Sequence, residues 1–129
     1  MLEPEALAEQ LDTIGWSTTQ HDARTFRCVH ETGEGEVVVF VRLFDNWLIA
    51  SVVPFLRTRG AISFELSRWL LRMNRDMYQT KFAYDEDGDV VLTVELPTES
   101  IDSTEIRTAL SDLLQHAIEH RRTLRDAAT

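Results

Sequence analysis

Apolar residues recur along this chain with two different periods, and the points where the period changes mark its elements. Leu7, Leu11 and Ile14 stand at helical spacing, with Pro4 where a first turn tolerates it and Gly15 where a helix ends, which predicts a short amphipathic helix. From Trp16 to Ala23 the pattern is polar and weak and reads as a loop holding at most a short extended piece. Thr25 to Glu31 alternates, Thr32-Gly33-Glu34-Gly35 punctuates it, and Glu36 to Phe44 is rich in β-branched and aromatic residues, so a hairpin is predicted. Asp45-Asn46 is a second tight turn, and Trp47 to Val53 is a third strand that ends at Pro54. The strand over 36–44 carries apolar residues at Val37, Val39, Val41 and Leu43 and also at Val38, Phe40 and Phe44, and is therefore expected to be covered on both sides.

Helical period returns over 61–78. Two more strands follow, Lys81 to Asp85 and Val90 to Leu96, joined by the acidic turn Glu86-Asp87-Gly88-Asp89. Asp102 with Glu105 three residues on reads as a capping box, and Ile106, Leu110, Leu113, Ala117 and Leu124 form the stripe of a last helix. The expected fold class is α+β in the order αβββαββα, an antiparallel sheet of about five strands packed with helices, with residues 1–129 as a single domain.

The helix over 61–78 has two apolar faces. At about 100° per residue, Ile62, Leu66, Trp69, Leu70, Met73 and Met77 share one sector and are expected to lie on the core. Phe64, Leu71 and Tyr78, spaced seven apart, fall on the opposite side with Arg68 and Arg75 beside them. A second large apolar stripe on a surface helix calls for a cover. A second copy of the chain is the expected cover, and a fold-back of the same chain or a client protein is the alternative.

Composition narrows the partners. The 129 residues carry a formal net charge of -9, which opposes a phosphate backbone, so nucleic acid is not an expected partner. One cysteine, Cys28, permits no intrachain disulfide. No signal-like start and no run near the roughly 18 apolar residues of a membrane helix is present, so a cytoplasmic protein with no membrane partner is expected.

Candidate chemistry is sparse. His116-Ala117-Ile118-Glu119-His120 fits the H-x-x-E-H spacing of inverted zinc metalloproteases, but the further acidic ligand such enzymes draw from well downstream has too little chain left to supply it. Cys28 and His30 share a strand face about 7 Å apart, too far for a thiolate dyad on a straight strand. Asp85, Glu86, Asp87 and Asp89 lack calcium-loop register. Arg57 and Arg59, just before the middle helix, are a candidate anion patch. No catalytic residue, metal or cofactor is expected.

Leu70-Leu71-Arg72-Met73-Asn74, Lys81-Phe82-Ala83-Tyr84-Asp85 leading into the Gly88 turn, Val91-Leu92-Thr93-Val94-Glu95-Leu96-Pro97 and the stretch from Ile106 to Leu114 together resemble the YbjN domain family, described as bacterial sensory transduction regulators. That family is similar in fold to the class I type III secretion chaperones, whose middle helix commonly contributes to a homodimer interface and whose clients wrap around apolar surface patches. The resemblance implies the αβββαββα topology and identifies no functional residues. The expectation is a non-catalytic, homodimeric adaptor or chaperone-like module with a possible protein client, bound by sheet-face patches or strand addition. A small-ligand-sensing regulatory domain is the alternative, and a metal hydrolase on His116, Glu119 and His120 a third.

Overall fold

Alternation along the strands decides the architecture. In the computed structural model, which describes residues 2–128 with side chains through 124, helix α1 (Pro4–Thr13) is followed by strands β1 (Thr18–Asp22), β2 (Thr25–Thr32), β3 (Gly35–Phe44) and β4 (Trp47–Leu56). Helix α2 (Phe64–Asp76), strands β5 (Lys81–Tyr84) and β6 (Val90–Pro97) and helix α3 (Ser103–Ala128) complete the chain. The six strands form one antiparallel sheet in the order β1-β2-β3-β4-β6-β5.

The sheet has six strands rather than five because β1 exists as a full strand. Thr18 to Asp22 pairs with β2, yet all five of its side chains are exposed, so it has no apolar alternation by which to be read. It is held chiefly by the backbone ladder, which has a register irregularity between Gln20 and Asp22, together with the ring contact of His21 on Phe40. The order is therefore αββββαββα.

One face of the sheet carries the core. Phe26, Cys28, Val37, Val39, Val41, Leu43, Leu48, Ala50, Val52, Leu92, Val94 and Leu96 are buried on it, and Leu7 and Leu11 of α1 and Ile106, Leu110, Leu113 and Ala117 of α3 complete the same cluster. At roughly 25 cal/mol per Å² of apolar surface withdrawn from water, each buried leucine or valine contributes on the order of 2 kcal/mol before the entropy of ordering the chain is set against it. The capping box forms as expected: the Glu105 amide donates to Asp102 Oδ1 at 2.8 Å and the Asp102 amide to Glu105 Oε1 at 3.3 Å, so α3 begins where its stripe does. Farther along α3, the Arg121 guanidinium donates to the carbonyls of Glu36, Pro54 and Phe55, fastening the helix across β3 and β4.

The opposite face is open, which corrects the expectation of a middle strand covered on both sides. Val38 and Phe40 are half-buried, and Phe44 is 54% exposed. The physical reason is in their neighbours. Arg27 lies opposite Phe40 and Arg42 opposite Ile49, with Glu31 and Glu95 on the same face, and charged side chains at that density hold water against a sheet.

Candidate interaction surfaces

Helix α2 starts at Phe64, three residues later than its period suggests. Ser63 is the N-cap, extended at φ -107 and ψ 155, and its hydroxyl accepts from the Leu66 amide at 3.0 Å. Residues 61–63 belong instead to a loop that is tied to the β5–β6 turn. Asp89 Oδ1 accepts from the amides of Thr58 and Arg59, Thr58 Oγ1 donates to the Gly88 carbonyl, and Ile62 packs on Gly88. Gly88 has φ +83, so the turn needs glycine for its conformation, and a Cβ there would also press to 3.3 Å on the Ile62 Cδ1 methyl. Ile62 is 49% exposed and leaves the expected core stripe; the rest of that stripe is partly or fully buried, with Leu70 and Met77 deepest.

The core face of α2 seats on an aromatic joint. Trp69 meets Phe82 of β5 at 5.7 Å and His120 of α3 at 5.8 Å, and Phe82 in turn lies edge-on to Phe55 at 4.9 Å. Polar contacts fix the helix lengthwise. The Asn74 amide donates to the Phe82 carbonyl at 3.1 Å and its oxygen accepts from the Phe82 amide at 2.7 Å, so one side chain pairs with the outer edge of β5 as a neighbouring strand would. Lys81 Nζ donates to the carbonyls of Asn74 and Met77 at the end of the helix, and the hydroxyls of Ser67 and Tyr84 are 2.8 Å apart.

The other face of α2 is bare. Phe64 is 79% exposed, Leu71 70% and Tyr78, just past the helix end at Asp76, 97%. Neither α3 nor the loop holding Arg57 folds over them. Arg68 and Arg75 are exposed beside this stripe, and Arg75 makes a surface ion pair with Asp76 at 3.6 Å, a contact of small energetic weight. Arg57 and Arg59 are both exposed in the 57–62 loop, where the Asp89 carboxylate already occupies the Arg59 amide.

The open sheet face is a second apolar surface, for which the expectation of sheet-face patches named no residues. Val29 lies opposite Val38, and Val53 of β4 and Val91 of β6 stand on the adjoining strands, with Phe40 and Ile49 alongside and the exposed Phe44 and Trp47 at one end. His21 packs edge-on to Phe40 at 5.4 Å and the Arg42 guanidinium lies 5.4 Å over Phe44. A depression of about 200 Å³ between Phe40, Arg42, Ile49, Ser51 and Val53 gives the face relief. The alternating arginines and glutamates were the available signal that this face is wet.

The remaining candidates are placed as follows. Cys28 is fully buried, and burial pushes its thiol up to about 11. His30, two residues on, packs edge-on to Trp16 at 4.3 Å, and burial lowers its proton affinity. His120 faces the α2 joint and His116 stacks on it, whereas Glu119 is exposed and accepts from Gln115. Among the described residues, no three His, Cys, Asp or Glu side chains converge so as to hold a metal ion, and no helix is long and apolar enough to cross a membrane. The acidic turn residue Asp85 spends its carboxylate on the amides of Asp87 and Asp89. A cleft of about 300 Å³ opens between the end of α1 and α3, lined by Thr13, Ile14, Trp16, Arg107, Ser111 and Leu114.

Three helices on a six-stranded antiparallel sheet, in this order and with one face bare, define an α+β fold like that of a type III secretion chaperone. The chain belongs to the YbjN family, described as "Putative bacterial sensory transduction regulator", whose profile matches residues 3–126. Among solved structures it is similar to the crystal structure of "YbjN, a putative transcription regulator from E. coli", with TM-score 0.71 and 15% identity over 96% of this chain and 94% of that one. A chain of the ExsC–ExsE complex matches with TM-score 0.63 and 22% identity, covering 90% of this chain and 88% of that one. The Yersinia pestis type III secretion chaperone SycH, crystallised with a stable fragment of YscM2, gives TM-score 0.57 and 18% identity over 90% and 97%. No curated protein sequence matches the chain. At these identities the likeness is one of fold.

Proposed function

We propose that this chain is a non-catalytic, protein-binding adaptor or chaperone-like regulatory module, a single domain of the cytoplasm that works as a homodimer through α2. The observation that carries the reading is the bare stripe of Phe64, Leu71 and Tyr78 on a helix whose other face is already seated. Three large apolar side chains in line, flanked by Arg68 and Arg75, are the composition of an interface centre with a polar rim. The family supports a regulatory role, and two solved structures of similar fold, the ExsC–ExsE complex and the secretion chaperone SycH with a YscM2 fragment, are complexes. The open sheet face, broad and mixed in character, is where an extended client would lie, and the net charge of -9 favours a basic or amphipathic one.

Light scattering on the wild type and on Phe64→Glu/Leu71→Glu tests the dimer. A dimer that becomes a monomer with an unchanged circular dichroism spectrum is expected. A monomeric wild type, or a double variant of unaltered mass, removes α2 as the interface. The α1–α3 cleft supports a second reading, a small-ligand sensor, because Trp16 and Arg107 both line it. That reading predicts a thermal shift with carboxylate-bearing metabolites that is lost in Arg107→Ala.

A further inference from the structure

The seat of α2 contains one imidazole, with a second stacked on it, that neither the adaptor nor the dimer uses. His116 and His120, one turn apart on α3, stack with centroids 5.8 Å apart and planes inclined by only 9°. His120 also meets Trp69 of α2 at 5.8 Å and Phe82 of β5 at 5.4 Å, both edge-on. His120 Nε2 and His116 Nδ1 are shut away from solvent with no hydrogen-bond partner.

Among the described residues, no charged side chain answers those nitrogens. On α2, Arg68 precedes Trp69 and Arg72 follows it by three residues, and both are exposed. Next to Phe82, the Lys81 ammonium is turned to the Asn74 and Met77 carbonyls, and the Tyr84 hydroxyl pairs with Ser67. On α3, Glu119 is exposed and accepts from Gln115, while Arg121 donates to the carbonyls of Glu36, Pro54 and Phe55. A neutral imidazole tolerates this setting, because a bare ring nitrogen that lacks a donor is only an unfilled acceptor. An imidazolium does not: Nε2 becomes a donor with nothing to accept from it, and a charge appears between two aromatic rings beside a second histidine.

We propose that the Trp69–His120–Phe82 joint is an acid-sensitive latch, in which proton uptake by His120 unseats α2 from β5 and α3. The latch gives way at α2 because that helix lies at the sheet edge with one face already in water, so Trp69 can move out and admit solvent without opening the cluster between sheet and α3. Burial lowers the proton affinity of His120, neighbouring His116 adds to the effect, and Glu119 opposes it. The folded chain therefore binds fewer protons than the unfolded one just below the ordinary imidazole value of 6.5. The joint's contribution is present above that pH and is lost as pH falls from it toward the depressed folded value. The inference does not depend on dimerisation, although a dimer through α2 would inherit the same pH dependence.

The chain's three tryptophans are Trp16, Trp47 and Trp69, so Trp16→Phe/Trp47→Phe leaves Trp69 as the only indole. Its emission and acrylamide quenching are followed from about pH 8 to about pH 5, across the imidazole range. A red shift and loss of shielding at Trp69 below pH 6.5 is expected, with far-UV dichroism of the sheet retained. The transition should vanish in His120→Phe and persist in His30→Phe, whose imidazole packs on Trp16 instead. Trp69 emission that stays flat to the lowest pH, or a transition that survives His120→Phe, overturns the latch. Should His120→Phe fail to fold, imidazole NMR of the unsubstituted histidines decides: His120 must take up its proton together with the Trp69 transition, and separate midpoints refute it. Light scattering at the high-pH end reports the dimer independently, so failure of that reading is distinguishable.

Discussion

Replacing Asn74 with alanine should cost more stability than any other single polar truncation on α2. The side chain makes two hydrogen bonds to the same residue, 3.1 Å to the Phe82 carbonyl and 2.7 Å from the Phe82 amide, and both are half-buried beside a phenylalanine that is 5% exposed. Each bond contributes on the order of 1 kcal/mol net, and leaving a buried peptide group unanswered adds about 1–3 kcal/mol where water cannot reach it. Partial access of water to a sheet edge brings the expected loss to about 2–4 kcal/mol. For a chain of this length about 4 °C in Tm accompanies each kcal/mol, so melting should fall by roughly 8–16 °C. Urea unfolding measures the loss directly, with Arg75→Ala as the control on the same helix, expected to stay within about 0.5 kcal/mol of wild type. A second consequence separates edge closure from mere packing: with Asn74 gone, the outer peptide groups of Phe82 become a free edge, and concentration-dependent association should appear. If Asn74→Ala unfolds within about 0.5 kcal/mol of wild type and stays the same size, the pairing is incidental and the argument for a closed β5 edge is wrong.

Two further outcomes follow from the core and the caps. Cys28, fully buried with its thiol pushed up to about 11, should resist thiol reagents at neutral pH in the native state and react promptly in denaturant; rapid native labelling would show that β2 opens far more readily than its packing implies. Asp102→Ala removes the acceptor for the Glu105 amide and one half of the capping box, and should lower the unfolding free energy by about 1 kcal/mol in the same urea assay, with no loss expected if α3 is held by its stripe alone.

Much of the fold was legible because most of its elements carry their own periodic signal. Leu7 and Leu11, the Val37 to Leu43 alternation, the Asp102 box and the stripe from Ile106 to Ala117 all stand where the period puts them. β1 was not legible, since Thr18 to Asp22 buries no side chain and is recruited by the backbone groups of β2. Ile62 was misassigned for a related reason: helical period cannot see that Asp89 and Thr58 draw residues 58–62 onto the Gly88 turn. Of the candidate site, the α2 stripe was readable from heptad spacing, whereas the open sheet face was obscured. Apolar residues on both sides of β3 look the same whether a strand is sandwiched or half wet, and only the arginines and glutamates of its neighbours distinguish the two.

The two exposed apolar surfaces differ in a way that bears on what each can bind. The α2 stripe is narrow and is carried by a helix anchored through Trp69, Asn74 and Lys81. Rigid, in-line side chains of this kind suit a partner with the same geometry, as a second copy has by symmetry. The sheet face is broader, interleaves valines with Arg27, Arg42 and Glu95, and offers relief only at the Phe40–Ile49 depression. Such a surface rewards a chain that can adapt to it, gaining apolar contact at alternate positions and charge pairing between them. Because α2 seats at β5 and the bare face runs from β2 to β6, substitutions on one surface leave the packing of the other untouched. The self-association and client capture proposed for these surfaces are thus physically separable, and a variant that loses one while keeping the other is what this architecture predicts.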